Sequence, residues 1–274
     1  MKKIKKYAHF CAPYLLDPTN PVTVNLIGAG GSGSSMLTAL ARIDFALCGL
    51  GHAGLEVNVI DPDTIERANG GRLLFTEEEV GLPKAVAFVN RVNRTFGSYW
   101  KAFAQPFSDE IPMANIFISC VDSVEVRFQI ADRLKKFREN GQMYRDTPYY
   151  WMDFGNNRDC GQVLLSSVAT SKQPKSKKFI PVAYLPFVTD EYGSDLLSAE
   201  VGDNTPSCSL AEALEKQELF INSAMAASGA ALLWQLFREG MLTNRGFFVN
   251  MEDFRMQPIK VSSAVKANVQ KMAA

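Results

Sequence analysis

Residues 22–33 read VTVNLIGAGGSG, an apolar, partly β-branched run that ends at a cluster of glycines. A run of this kind predicts a strand buried inside a parallel sheet. The glycines allow a tight turn, and after them an apolar residue recurs every three or four positions from Met36 to Leu47, which is the spacing of one helix face. The stretch therefore predicts a strand, a glycine loop and a helix, the first unit of an α/β fold.

Strands and helices continue to alternate through the first half of the chain. Apolar strands are predicted at residues 55–60 and 116–121, with a helical pattern at 85–96 between them. This alternation predicts a mainly parallel, Rossmann-like α/β sheet with helices on both faces, which binds ligands beyond the carboxyl ends of its strands. Two further strands, at 150–154 and 162–168, flank a strong turn signal. We therefore expect the sheet to continue as an antiparallel second half.

Composition and charge argue against several classes of protein. The 274 residues contain 29 Lys and Arg against 29 Asp and Glu, so no net charge draws the chain to nucleic acid or to an anionic membrane. The most apolar segment, 224–237, is shorter than the roughly 20 residues that span a bilayer, and the N-terminal lysines precede no signal-peptide core. Five cysteines without a Cys-x-x-Cys pair disfavour a disulfide framework or a structural zinc site. We expect a cytoplasmic protein without nucleic-acid or membrane partners.

The glycine loop has the spacing of a phosphate-binding turn. Gly28, Gly30 and Gly33 follow the pattern G-x-G-x-x-G between a predicted strand and a predicted helix. Glycines allow close backbone approach, and the helix N-terminus offers unpaired N–H groups to phosphate. With Gly31, these residues form the predicted nucleotide-binding loop. The alternative is a tight turn without a ligand, and the pattern alone does not separate a dinucleotide from ATP.

Polar residues after the loop make that distinction. Asp61 closes the second predicted strand, where a carboxylate can accept hydrogen bonds from ribose hydroxyls. Attack on the α-phosphate of ATP also requires cations on the β- and γ-phosphates, and Arg72 and Lys84 are candidates. Asp122 directly follows a buried strand and is a candidate ligand of Mg²⁺. Each of these residues alone is typical of an ordinary surface, but their joint placement favours a triphosphate site.

As spaced here, these residues resemble the ThiF/MoeB/HesA family of adenylyltransferases, the bacterial relatives of ubiquitin-activating enzymes. The resemblance covers residues 20–130 most strongly. It implies that Asp61 binds ribose and that Asn69, Arg72 and Lys84 bind the phosphates. It adds Asp63 to the nucleotide-binding residues and places Asp122 on Mg²⁺.

The resemblance also implies an activity and partners. Members of the family adenylate the C-terminal glycine of a ubiquitin-like or sulfur-carrier β-grasp protein, using MgATP and releasing pyrophosphate. It implies a homodimer and one domain over residues 1–274, with an N-terminal segment at 1–20, a nucleotide-binding half at 21–145 and an antiparallel, partner-binding half at 146–274. Flanking details are similar to the ThiF-like proteins of the bacterial PRTRC gene system.

Three departures from the family pattern bear on turnover. Leu73 stands where many relatives have Gln after the arginine, which removes a polar group near the phosphates. The two Cys-x-x-Cys pairs of the zinc-binding members are absent. So is the Arg-Tyr-x-Arg segment that sends an arginine into the neighbouring subunit's site in dimeric relatives.

Cys208 is a candidate acyl acceptor. Its context, TPSCS at residues 205–209, resembles that of the thioester cysteine in ubiquitin-activating enzymes. A thiol at a helix N-terminus has its thiolate stabilised, which favours attack on an acyl-adenylate. The alternative is an inert, buried cysteine that acts as a small hydrophobe.

Three functional hypotheses follow, and the first is preferred. The chain adenylates a carboxylate, with Arg72, Lys84, Asp122 and Cys208 as candidate catalytic residues. Alternatively it is an NAD- or FAD-dependent oxidoreductase, although Asp61 lies 28 residues beyond Gly33, farther than usual for a dinucleotide site. The third alternative, suggested by Leu73 and the missing arginine segment, is a nucleotide-binding adaptor without turnover.

Overall fold

An eight-stranded sheet lies at the centre of the protein, in a computed structural model that describes residues 5–140, 144–199 and 218–263. The strands of this sheet and of a second, three-stranded sheet are β1 Lys6–Phe10, β2 Val22–Ile27, β3 Leu55–Ile60, β4 Lys101–Phe103, β5 Ile116–Ser119, β6 Tyr150–Asn156, β7 Cys160–Ser167, β8 Phe179–Pro181, β9 Met241–Leu242, β10 Asn244–Asn250 and β11 Arg255–Lys260. The α-helices are α1 Pro13–Leu16, α2 Gly31–Gly49, α3 Lys84–Phe96, α4 Val124–Asn140, α5 Val188–Ala199 and α6 Ile221–Glu239. Two 3-10 helices, Arg67–Gly71 and Glu77–Glu79, lie in the connection from β3 to α3.

The large sheet has the strand order β11-β10-β7-β6-β5-β2-β3-β4. The five strands from β6 to β4 are parallel, whereas β7, β10 and β11 each pair antiparallel with their neighbours. The predicted fold class, a mainly parallel Rossmann-like sheet with an antiparallel continuation, is confirmed. β6 joins the two halves of the sheet, because it pairs antiparallel with β7 on one side and parallel with β5 on the other.

Both faces of the sheet are covered by helices, as the apolar strands require. Every residue of β2 is buried. On one face α2, α3 and α6 pack through residues such as Met36, Phe88 and Met225. On the other face α4 and the start of α5 pack through Ile130 and Val188. The loops at the carboxyl ends of the parallel strands lie between these two helix layers.

The N-terminal segment is fixed to the body by a small sheet and a buried histidine. β1 pairs in parallel with β8 and antiparallel with β9. His9 Nδ1 lies 2.7 Å from the Val182 carbonyl and Nε2 lies 2.9 Å from the Tyr150 hydroxyl. The same hydroxyl accepts a hydrogen bond from the Ala12 N–H at 3.0 Å. Burial lowers the pKa of His9 below its ordinary value of 6.5, so this residue is a neutral part of the core.

The last long helix of the described residues is α6, which packs against α2. Sequence periodicity predicts helix over 210–238, of which 210–217 lie outside the described residues. α6 ends at Gly240, whose φ of +63° is the left-handed conformation typical of glycine after a helix. None of the described helices is long and apolar enough to cross a lipid bilayer.

Candidate functional site

The glycine loop connects β2 to α2 and is wedged between the ends of two neighbouring strands. The Gly28 N–H donates to the Ile60 carbonyl at 2.8 Å, and the Cys120 N–H donates to the Ile27 carbonyl at 2.8 Å. Gly28 has a φ of +89°, and a Cβ there would lie 2.5 Å from the Cys120 carbonyl oxygen. Only glycine fits this position, because both its backbone conformation and the close approach exclude a side chain.

Gly30 differs from Gly28 because the space above it is open. A Cβ at Gly30 would meet no atom within 4 Å. Gly30 is the N-cap of the 19-residue helix α2, and no side chain caps that terminus. The first-turn amides of a helix lack intrahelical partners and attract anions. The opening at Gly30 therefore suits a phosphate that approaches the backbone closely.

Asp61 holds the loop from the end of β3. Its side chain is only 4% exposed. Oδ2 accepts a hydrogen bond from the Ala29 N–H at 2.5 Å, and Oδ1 accepts one from the Asp63 N–H at 2.8 Å. Burial raises the pKa of this carboxyl, and the two backbone N–H groups oppose the shift. Each carboxylate oxygen has two lone pairs, so this geometry is compatible with the predicted bond to ribose.

Lys84 is connected to the loop through Asp63. It is the first residue of α3, and its Nζ lies 2.9 Å from Asp63 Oδ2. The Lys84 side chain is 11% exposed, whereas that of Asp63 is 64% exposed. The Lys84 N–H also donates to the Asp63 carbonyl at 2.9 Å. The Lys84 side chain is therefore held by Asp63, two residues after the aspartate that contacts the glycine loop.

Asn69 stabilises the loop that carries Arg72. Its Oδ1 accepts the Glu66 N–H at 3.0 Å, and the Glu66 side chain accepts the Asn69 N–H in return, which is a capping box around the 3-10 helix. The predicted contact of Asn69 with phosphate remains a prediction. Its oxygen has a local partner that sequence reasoning did not foresee.

Arg72 lines a groove of about 280 Å³ beside the start of α2. Ser35, in the second turn of α2, lines the same groove, as do Leu73, Phe220 and Asn222. Leu73 is 7% exposed and belongs to the core. The groove therefore combines a cation with apolar walls.

Asn222 is a residue of this site that sequence reasoning missed. It lies in the first turn of α6, is 6% exposed, and its Oδ1 accepts a hydrogen bond from the Ser32 hydroxyl at 2.8 Å. A Cβ on Gly31 would lie 2.7 Å from its amide group, so Gly31 is required for the close packing of α6 on the loop. The two partners are 190 residues apart in the chain, and no local pattern connects them.

Asp122 is exposed in the short loop between β5 and α4. The carbonyls of Asp122 and Val121 accept hydrogen bonds from the buried Arg127, which pairs with Asp153 on β6. Neither Arg127 nor Asp153 was predicted. Asp153 carries one recognisable signal, because it is the only charge in the otherwise apolar run YYWMDFG at residues 149–155.

Most of the predicted site residues thus lie at one edge of the sheet, where the parallel strands end. Direct contacts connect the glycine loop to Asp61, Asp61 to Asp63, and Asp63 to Lys84. The backbone of Cys120 joins the loop to the segment of Asp122. Cys208 lies outside the described residues. Within the parts of the chain that the structure describes, no three His, Cys, Asp or Glu residues form a metal-binding group.

A protein-family model described as the ThiF family matches residues 16–269. The chain belongs to the ThiF family. The match includes the glycine loop, Asp61, the Arg72 loop, Lys84 and Asp122, and it extends through the antiparallel strands to the end of β11. Family membership therefore concerns the whole described sheet and not the nucleotide-binding half alone.

This ThiF-family chain is similar to ubiquitin-like modifier-activating enzyme 5 of Drosophila willistoni, with 30% identity over a 126-residue alignment, and the match covers 39% of this chain and 29% of that protein. The chain thus spans less than a third of the curated relative it matches. It is also similar in structure to E. coli MccB solved with MccA (TM-score 0.57, 15% identity, 93% of this chain and 67% of that one) and with ATP (TM-score 0.53, 16% identity, 90% and 65%). These likenesses show a shared fold.

Proposed function

We propose that this protein is an ATP-dependent adenylyltransferase that activates the C-terminal carboxylate of a polypeptide. The observation that carries the proposal is the chain of contacts from Ala29 through Asp61 and Asp63 to Lys84. These contacts connect Lys84, whose side chain is 11% exposed, to an open glycine loop. A dinucleotide site binds its pyrophosphate mainly through backbone amides, whereas a leaving pyrophosphate needs cations.

In this proposal, some residues of the site bind the nucleotide and others stabilise the negative charge of its phosphates. The amides of the glycine loop and the N-terminus of α2 bind phosphate, and Asp61 binds the ribose. Lys84 and Arg72 hold the β- and γ-phosphates. An oxygen of the substrate carboxylate attacks the α-phosphorus, the bond between the α-phosphorus and the bridging oxygen breaks, and pyrophosphate leaves with the electron pair. Because the substrate supplies the nucleophile, catalysis comes from positioning and from stabilising the charge that develops on the leaving group.

Mg²⁺ fits this site as a companion of the phosphates. Asp122 offers an exposed carboxylate, and Mg²⁺ is usually held by one or two carboxylates together with substrate phosphates and water. When bound, the ion neutralises phosphate charge.

Relatives support the choice of substrate class. The similar activating enzyme acts, by its name, on a ubiquitin-like modifier, and MccB has been solved both with ATP and with MccA. We propose a ubiquitin-like or sulfur-carrier β-grasp protein as the partner, bound by residues 146–274 of a homodimer. ThiF-family membership favours this function over the oxidoreductase hypothesis, and the formation of AMP is what separates it from the adaptor hypothesis.

A second step is proposed for Cys208. Its thiolate would attack the acyl-adenylate carbonyl, forming a thioester and releasing AMP, the proton having gone to solvent. The test is intact-mass spectrometry after incubation with MgATP and a β-grasp partner. A thioester in the wild type that disappears in Cys208→Ala supports the step, and one that persists in that variant refutes it.

The adenylation itself is tested by nucleotide binding followed by exchange. Calorimetric titration should show binding of MgATP and none of NADH, and a β-grasp partner should stimulate exchange of labelled pyrophosphate into ATP. Lys84→Met should slow exchange strongly, by about 10²–10³. Lys101→Met is the matched control, because Lys101 lies at the start of the edge strand β4 and pairs with Glu56 of β3, away from the glycine loop. Binding of NADH in place of MgATP would refute the proposal.

A further inference from the structure

Arg127 is a buried cation that the proposed chemistry does not use. It lies in the first turn of α4 and is 4% exposed. Its Nε lies 3.1 Å from Asp153 Oδ1 and 3.3 Å from Oδ2, and Asp153 is 1% exposed. Replacing a buried ion pair by apolar residues often costs no stability. Stability alone therefore does not explain why the chain places this pair inside the protein.

The other nitrogens of Arg127 bind backbone carbonyls of two neighbouring segments. Nη1 donates to the Asp122 carbonyl at 3.3 Å, and Nη2 donates to the Phe154 carbonyl at 2.9 Å and to the Val121 carbonyl. The first and last of these carbonyls belong to the loop after β5, and the Phe154 carbonyl belongs to β6. One guanidinium thus joins the loop that carries Asp122 to the neighbouring strand.

Asp153 is held in turn by its own partners. The Ser119 hydroxyl donates to Asp153 Oδ1 at 2.5 Å, and the Trp151 indole N–H donates to the Ser119 oxygen at 2.7 Å. All of these groups are buried between β5 and β6. The guanidinium therefore rests on a fixed support, which is what a group that sets the position of a loop requires.

The loop held by Arg127 lies directly against the glycine loop. The residue before it, Cys120, donates its N–H to the Ile27 carbonyl at 2.8 Å, and its carbonyl packs on Gly28. The Cβ of Cys120 lies 3.4 Å from the position that a Cβ on Gly33 would occupy. A displacement of residues 121–123 would therefore shift Cys120 and, through its contacts, the backbone of the glycine loop.

We propose that Arg127, supported by Asp153, is a positioning residue that sets the loop at residues 121–123, and with it Asp122, against the glycine loop. This inference rests on the proposed function for the role of Asp122 as a ligand of Mg²⁺. It predicts that arginine is required and not merely a positive charge. Only a planar guanidinium bonds a carboxylate and three carbonyls at once, whereas lysine has one nitrogen on a flexible stem.

Arg127→Lys and a matched control on the same helix test this proposal. The control is Arg133→Lys, because the Arg133 guanidinium also binds three backbone carbonyls, those of Ser108, Asp109 and Ile111, in a loop before β5. We expect Arg127→Lys to weaken MgATP binding at least tenfold in calorimetry, and Arg133→Lys to leave it within twofold of the wild type. Equal affinities for the two variants would overturn the proposal.

A readout without nucleotide separates positioning from general instability. The rate of alkylation is followed at Cys120 by peptide mass spectrometry, with Cys11, buried in the N-terminal segment, as the internal reference. Burial raises the pKa of both thiols, so both react slowly in the wild type. Arg127→Lys keeps the positive charge, and it should speed alkylation at Cys120 at least tenfold and leave Cys11 unchanged. Parallel acceleration at both cysteines, or none at Cys120, would refute positioning.

The two readouts also distinguish the failure of this inference from that of the proposed function. A wild-type protein that binds no MgATP refutes the function, and the ratio of the Cys120 and Cys11 rates still decides the role of Arg127. Should Arg127→Lys not fold, Asp153→Asn replaces it, because it keeps the shape of the support and removes its charge. The same selective acceleration at Cys120 is then expected, and its absence overturns the inference.

Discussion

An added methyl group should weaken nucleotide binding at one glycine of the loop and lower the stability of the fold at another. At Gly30 the backbone has a φ of −71° and an added Cβ meets no atom within 4 Å, so Gly30→Ala should change the free energy of unfolding by less than about 0.5 kcal/mol. The same Cβ occupies the space above the first turn of α2, where phosphate approaches. We expect MgATP to bind at least tenfold more weakly, a loss of about 1.4 kcal/mol of binding free energy.

Gly28→Ala should damage the fold itself. A left-handed residue with a Cβ costs about 1–2 kcal/mol, and the overlap with the Cys120 carbonyl, 2.5 Å away, adds the roughly 1–3 kcal/mol typical of overpacking. Gly49→Ala is the control for Gly30→Ala. A Cβ at Gly49 also meets open space, but Gly49 lies at the far end of α2, roughly 27 Å from the loop by helical rise. Urea denaturation measures stability and calorimetry measures MgATP affinity. Wild-type MgATP affinity in Gly30→Ala would refute the assignment of the loop as the phosphate site.

Three further predictions concern charge. Lys84→Met should lower the rate of pyrophosphate exchange by about 10²–10³, the cost typical of losing one group that stabilises developing charge, while Lys101→Met should leave the rate unchanged. Asp61→Asn should weaken MgATP binding and destabilise the glycine loop, because an amide nitrogen then faces the N–H of Ala29 or Asp63, where a carboxylate oxygen accepts now; a wild-type affinity would contradict this. The pKa of His9 is lower in the folded protein than its ordinary value of 6.5. Just below pH 6.5, His9 is therefore protonated more readily in the unfolded chain than in the folded one. Stability should therefore fall as the pH drops below 6.5, by at most about 1.4 kcal/mol per pH unit from this residue, and His9→Gln should reduce that slope in urea titrations at successive pH values.

Much of the fold follows from the sequence because strands and loops of this kind leave local signals. The apolar run at residues 22–27 and the glycines after it predict the central strand and the turn. The turn signal after residue 154 predicts the antiparallel pairing of β6 with β7, but it says nothing of β5 on the other side of β6. Parallel pairing joins segments that are distant in the chain, and local sequence does not encode it.

The candidate site was predicted less completely. The positions of Asp61 and Asp122 follow from their places at strand ends. The bond from Ala29 to Asp61 depends on the conformation of the loop, and the capping role of Asn69 depends on a 3-10 helix. Leu73 was identified as a departure near the phosphates, whereas its side chain is buried in the core at the edge of the groove.

The residues missed by sequence reasoning share a physical role. Asn222 binds a hydroxyl of the glycine loop, and Arg127 binds two carbonyls of the loop at residues 121–123. Their partners are parts of the protein, so they show none of the motif spacing that a ligand imposes on the residues around it. Catalysis by charge stabilisation depends on dipoles that are fixed before the reaction, and such fixing requires buried polar bonds from several elements. Substitutions at these positions should therefore change how tightly MgATP is bound and leave the choice between ATP and NADH unaltered.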